Sequence, residues 1–289
     1  MAAAIYSGKE ISQVLRATVA TGVQRFSELH GPLVLRVIRV GDDEAAAGYA
    51  RGVLRACGRV GVNAELDILS SDTSTCDVQA HVHSLNADPN VHGIVLAVPL
   101  TDAVDEEAVL EAIRPSKDVD RGTAVALGEL FAGRNGIGPA TATAVIEMLD
   151  FYSEPIEGQR VTVIGRSNVV GKPVGAMFLA RHGTVTICHS RTVDLANVTA
   201  QAEILVVAVG HAGFIGPDHV GKGAVVIDVG MNYVEGGLVG DVDFDAVAPC
   251  VRAITPVPGG IGPLTNYCLV RNLVELNSRQ VGLSGRERV

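Results

Sequence analysis

"VTVIGRSNVVGKPVG", residues 161–175, joins an apolar run to a helical period through a glycine turn. A β-rich apolar run ends at Gly165, a polar turn follows, and Gly171-Lys172-Pro173 leads into a segment of helical period that reaches His182. A strand that enters a helix through a glycine turn leaves the first helical amides free to meet phosphate. The spacing G-x-S-x-x-V-G-x-P is not the common G-x-G-x-x-G, so the turn reads either as a dinucleotide site of unusual form or as a plain strand-to-helix turn. The next strand favours the first reading. It ends in His189-Ser190-Arg191 with no carboxylate, and Arg166 is at hand from the first turn; a basic neighbourhood suits the 2'-phosphate of NADP, whereas NAD needs an acidic residue there. Arg191 taken alone also fits a solvated polar loop.

Working outward, the same rhythm fills the chain. Short β-rich runs recur as "LVLRVIRVG", "AELDILS", "GIVLAVPL", "RVTVIG", "TVTICHS", "ILVVAVG" and "AVVIDVG", with helical periods between most of them, as at 11–29 and 169–182. Alternating strand and helix predicts an α/β protein with parallel sheets. At 289 residues the chain has room for one large or two medium domains. The rhythm breaks in the glycine-rich "GTAVALGELFAGRNGIGP", 122–139, which places the main boundary there. A helix over 266–277 is expected to pack back on the first domain, giving one domain of 1–138 plus 266–289 and a second of 139–265. The tail "SGRERV" is expected to fray.

Composition narrows the function. The formal net charge is -9 and no run of consecutive basic residues occurs, which argues against nucleic acid or anionic lipid and for a small-molecule partner. Five cysteines without close pairing suggest neither a disulfide framework nor a zinc site. His81 and His83 lie two apart in a helical segment and point to different faces, so no metal is expected. The opening "MAAAIYSGKE" lacks a basic leader, and no apolar run approaches the ~18 residues of a membrane span, so a cytoplasmic, soluble protein is expected.

Taken in order, "VGD" (40–42), "GIVLAVPL" (93–100), "PSKDVD" (115–120), "VIGRSNVVGKPVG" (163–175), "AEILVVAVG" (202–210), "VIDVGMN" (226–232), "GDVDF" (240–244) and "ITPVPGGIGPLT" (254–265) resemble the methylenetetrahydrofolate dehydrogenase/cyclohydrolase family almost end to end. The resemblance implies two α/β domains with a cleft between them, the C-terminal one a Rossmann-like NADP-binding domain. It also implies a tetrahydrofolate one-carbon derivative as substrate, and a homodimer. Carried over by position, Tyr49 matches the tyrosine that stacks on folate and Asp120 the aspartate that bonds the pterin, the two candidate catalytic residues. Pro258, Gly259 and Gly260 match the loop lining the substrate cleft. Gly165, Arg166, Ser167 and Gly171 match the dinucleotide turn, with Ser190 and Arg191 at the 2'-phosphate.

The chain departs from the family pattern on the substrate side. The family helix reads Y-x-x-x-K, and its lysine is associated with cyclohydrolase chemistry; here Val53 stands in that place. The glutamine that supports the lysine falls at Ala97, "KDVDG" becomes "KDVDR" through Arg121, and "PCTP" becomes Pro139-Ala140-Thr141-Ala142. Losing lysine and glutamine together is coherent, because either one left alone is a poorly satisfied buried polar group. Valine neither donates, accepts nor activates water, whereas hydride transfer draws its chemistry from the cofactor and needs mainly alignment. The expected function is NADP-dependent oxidation of 5,10-methylenetetrahydrofolate with cyclohydrolase activity weak or lost. Alternatives are a folate-dependent one-carbon transferase and a non-catalytic homologue that binds NADP or folate.

Overall fold

A computed structural model describes residues 3–134 and 136–282; the tail expected to fray lies outside them. The chain begins β1 (Ala4–Ile5), α1 (Gly8–His30), β2 (Val34–Val40), α2 (Glu44–Val60), β3 (Asn63–Leu69), α3 (Thr75–Ala87), β4 (Gly93–Leu96), α4 (Glu106–Glu111) and α5 (Ala124–Phe131). It continues α6 (Ala140–Phe151), β5 (Arg160–Ile164), α7 (Gly171–Ala180), β6 (Thr184–Cys188), α8 (Leu195–Thr199) and β7 (Ile204–Val207). It ends β8 (Val225–Asp228), β9 (Asn232–Val234), β10 (Gly237–Val239), α9 (Phe244–Val247), β11 (Ala253–Ile254) and α10 (Gly262–Gln280).

Two compact units divide these elements. The stretch up to Gln13 joins Leu130–Thr265, and Val14–Glu129 joins the stretch from Asn266 onward. Two particulars differ from the sequence expectation. The first strand, expected in the N-terminal domain, adds to the other unit's sheet because β1 pairs in parallel with β11, Ala4 beside Ala253. The glycine-rich stretch expected as a boundary loop contains α5, whose good helix formers, the alanines, leucines and Glu129 of "AVALGELF", carry the two turns through Gly128.

The Val14–Glu129 unit holds a three-stranded parallel sheet in the order β3-β2-β4. On one face Ile38, Val40, Ile94 and Leu96 pack with Val78, Val82 and Leu85 of α3. The opposite face is covered tightly enough that a Cβ on Gly93 would lie 2.6 Å from Leu273 Cδ1 of α10 and 3.1 Å from Leu35 Cδ1. A side chain at position 93 would have to push these side chains aside. The Asn272 amide, also on α10, donates to Val119 O at 3.0 Å, which ties the helix to the loop that precedes Asp120.

The other unit is a six-stranded sheet in the order β1-β11-β8-β7-β5-β6, with every ladder parallel. From β5 the chain moves to β6 on one side and later to β7 on the other. This is a topological switch point, and in open parallel sheets ligands gather outside the carboxyl ends of the strands there. The core strands read as continuous apolar runs, as expected of strands buried on both faces: Ile204–Val207 and Val225–Asp228 are buried throughout.

Candidate active site

In the first unit, Asp43 caps α2 by accepting from Ala46 N at 2.9 Å, which fixes where the helix starts. Tyr49 and Val53 then stand one turn apart on it. Val53 is fully buried, and so is Ala97 just past the end of β4. Gly52 brings α2 close to α10, since a Cβ there would lie 3.0 Å from Asn266 Nδ2. A tyrosine on a helix usually keeps its hydroxyl wet, but the Tyr49 hydroxyl oxygen is buried. Burial first, and the neighbouring Asp120 carboxylate second, hold its pKa well above the ordinary tyrosine value, so the group stays protonated and acts as a donor.

The stretch "PSKDVDR" is built to present Asp120. Asp118 is buried and accepts from Thr123 N at 2.9 Å, Thr123 Oγ1 at 2.8 Å and Gly122 N at 3.3 Å, which closes the turn around it. Lys117 has its ammonium tied to Leu85 O at 2.9 Å, Asn86 O at 3.0 Å and Asp88 O at 2.7 Å. It stitches the end of α3 to this loop. Arg121 occupies a left-handed conformation, φ 60, where glycine is the usual choice, and its side chain is 2% exposed. Its guanidinium turns to Glu129 Oε2 at 2.5 Å and Pro115 O at 3.3 Å. His81 bonds Asp67 at 3.0 Å, and among the described residues no group of histidines, cysteines and carboxylates is arranged for a metal.

In the second unit the dinucleotide turn has the form of a cradle. Gly165 sits at φ +122, and a Cβ on it would lie 2.2 Å from Ala208 O; one on Gly171 would lie 2.1 Å from Gly165 O. Side chains are excluded where backbone must come close. Ser167 Oγ accepts from Val170 N at 3.1 Å and Gly171 N at 3.3 Å, shaping the turn into α7. Gly165 N donates to Cys188 O at 2.9 Å, so this turn and the turn after β6 lie side by side. Arg166, Ser167, Ser190 and Arg191 are all exposed at this end. These residues fit a dinucleotide: close backbone for the phosphates and arginines beside it for a further one.

Pro258, Gly259 and Gly260 lie in the same unit. Gly8 N donates to Gly259 O at 2.8 Å, and a Cβ on Gly8 would lie 2.1 Å from Gly260 O, so the start of α1 pins this loop. Tyr49 and Asp120 are brought together; Pro258–Gly260 belong to the other unit.

Two residues of the quoted motifs acquire a role that sequence reasoning missed. The Asp241 carboxylate accepts from Val209 N at 2.6 Å, Gly210 N at 2.9 Å and His211 N at 3.0 Å, and from the Asn232 amide at 2.8 Å. It thereby fixes the loop after β7, at the switch point. Asp228 accepts from Gly230, Asp241 and Val242 amides, yet burial outweighs these bonds and pushes its pKa up to about 6. An aspartate flanked by glycine in "GDVDF" and "VIDVG" was the available signal.

Residues 6–120 match the family model for the tetrahydrofolate dehydrogenase/cyclohydrolase catalytic domain, and residues 139–281 match that for the NAD(P)-binding domain of the same family. The chain belongs to the tetrahydrofolate dehydrogenase/cyclohydrolase family. It is 46% identical over 276 residues to the bifunctional protein FolD of Geobacillus thermodenitrificans, covering 95% of this chain and 97% of that one. It is similar, at 36% identity and TM-score 0.90, to the structure of the FolD methylenetetrahydrofolate dehydrogenase/cyclohydrolase from Campylobacter jejuni, with 96% of this chain and 100% of that one covered. The Trypanosoma brucei FolD structure, complexed with NADP cofactor and inhibitor, matches with TM-score 0.92 at 32% identity, over 98% of this chain and 99% of that one. No helix among the described residues of this family member is long and apolar enough to cross a membrane.

Proposed function

We propose that this protein oxidises 5,10-methylenetetrahydrofolate to 5,10-methenyltetrahydrofolate with NADP, and that its cyclohydrolase activity is weak or lost. The observation that carries this reading is the pair of fully buried apolar side chains, Val53 and Ala97, at the lysine and glutamine positions of the family helix and strand. Water addition to the methenyl cation needs a group that moves a proton, and neither side chain does. The Tyr49 hydroxyl is no substitute base, because it is held protonated.

Each remaining residue keeps a task that does not depend on that lysine. Tyr49 stacks on the folate ring and Asp120 bonds the pterin. Pro258, Gly259 and Gly260 line the substrate. Gly165, Arg166, Ser167 and Gly171 hold the cofactor's pyrophosphate, and Ser190 with Arg191 its 2'-phosphate. When bound, NADP supplies the hydride acceptor. The chain's part is to orient the folate and keep it dry. We assign the folate role to the unit of Val14–Glu129 with the stretch from Asn266 onward, and the cofactor role to the unit of Leu130–Thr265 with the stretch up to Gln13, in a cytoplasmic homodimer.

The test is to supply 5,10-methylenetetrahydrofolate with NADP and follow NADPH. Formation of NADPH dependent on both substrates supports the reading, and its absence at high enzyme concentration overturns it.

A further inference from the structure

Arg39 stands on the same sheet face as Ala97. Ile38 pairs with Leu96 across β2 and β4, and Ala97 N donates to Ile38 O at 2.8 Å, so the next residue of β2, Arg39, comes beside Ala97. Side chains in register on neighbouring strands leave the sheet on the same side. Ile38 and Leu96 enter the core under α3, which sends Arg39 and Ala97 to the opposite face, where Leu35 meets Gly93 and α10. A right-handed crossover from β2 to β3 lays α2 on that same face. The buried residues in the first half of α2 are Ala46, Ala47 and Ala50, small side chains that leave room for a long one.

Arg39 is also unlike the other arginine of its strand. Arg36, on the α3 face, is tied to Glu65 at 2.7 Å and to Asp67. Arg39 is half-buried, its Nε is buried without a hydrogen-bond partner, and it pairs with no carboxylate among the described residues. A desolvated guanidinium N–H without an acceptor is costly, and an incoming acceptor would satisfy it. Two long polar side chains of the family pattern are missing from this face, at Val53 and Ala97.

We propose that Arg39 is the fixed cation of the folate site, donating to acceptor atoms of the bound folate in place of a lysine at position 53. This rests on the folate reading above. A guanidinium has five donors and no acceptor, so it holds the substrate but takes no part in the proton transfers that water addition requires. The exchange of a lysine on the helix for an arginine on the strand thus keeps binding and drops hydrolysis.

The experiment measures binding of tetrahydrofolate and of NADP by calorimetry in the full-length protein, Arg39→Met and Arg39→Lys. The expected result is tetrahydrofolate affinity lowered tenfold or more in Arg39→Met, a smaller loss in Arg39→Lys, and NADP affinity within twofold throughout. Equal tetrahydrofolate affinity in the unaltered protein and Arg39→Met overturns the role of Arg39 and leaves the dehydrogenase reading standing. So does a loss in Arg39→Met that extends equally to NADP, or one that Arg39→Lys does not lessen. Failure of the unaltered protein to bind tetrahydrofolate overturns both.

Discussion

Val53 lies one helical turn beyond Tyr49 on α2 and is fully buried, while the tyrosine keeps its hydroxyl buried beside Asp120. In the proposed site, the half that would hold a ring is intact, and the half that would move a proton is apolar. The two halves therefore respond differently to substitution.

Tyr49→Phe keeps the stacking face and removes only the hydroxyl, so KM for methylenetetrahydrofolate rises by no more than about threefold, the effect of one modest hydrogen bond. Tyr49→Ala removes the ring and raises it ~10-fold or more, a loss of about 1.4 kcal/mol or greater. Steady-state kinetics at saturating NADP distinguishes the two, and equal effects would mean that the ring does not stack.

Val53→Lys with Ala97→Gln returns a proton-transfer group to the site. Hydrolysis of methenyltetrahydrofolate is expected to rise ~100-fold or more, at the low end of what general acid-base groups supply, with NADPH formation little changed. Placing a lysine where a fully buried valine stands costs about 1–3 kcal/mol of stability. A thermal melt checks the second effect; unchanged hydrolysis in a folded variant contradicts the first.

Arg191→Ala takes a cation from the turn after β6 and leaves the Gly165 cradle untouched. KM for NADP should rise ~10-fold while KM for NAD hardly moves, because only the former carries the 2'-phosphate. Parallel loss with both nucleotides would place Arg191 elsewhere in the site.

Asp228 sets a pH dependence of stability. Folded, its carboxyl keeps its proton up to about 6, against 3.8 for an ordinary aspartate. The folded state thus binds more protons between these values. Its contribution to stability is most favourable below the lower one, falls by up to about 3 kcal/mol as pH rises through the interval, and is flat above it. Urea melts across that range should show the decline in the unaltered protein and a shallower one in Asp228→Asn. Equal slopes would contradict the assignment.

The seven long strands and the helices α1, α7 and α10 were legible because each carries its own period or apolar run. Gly165 and Gly171 were legible as a turn. The two-residue strands β1 and β11 were not, since nothing in "AI" distinguishes an edge strand from a loop until its partner is known. The same limit hid Asp241. Its three amide partners lie some thirty residues upstream, and the β7–β8 pairing together with the bridge between Ile215 and Val242 brings that loop to it. Tyr49 and Asp120 were found through motif resemblance; that the tyrosine hydroxyl is buried beside the carboxylate, and that Arg121 turns to Glu129, are facts of packing.

The most direct test is to give the protein 5,10-methenyltetrahydrofolate alone and compare its hydrolysis with that in buffer, alongside NADPH formation from methylenetetrahydrofolate by the same preparation. The account predicts steady NADPH formation with methenyl hydrolysis no faster than in buffer. Methenyl hydrolysis keeping pace with NADPH formation would contradict it.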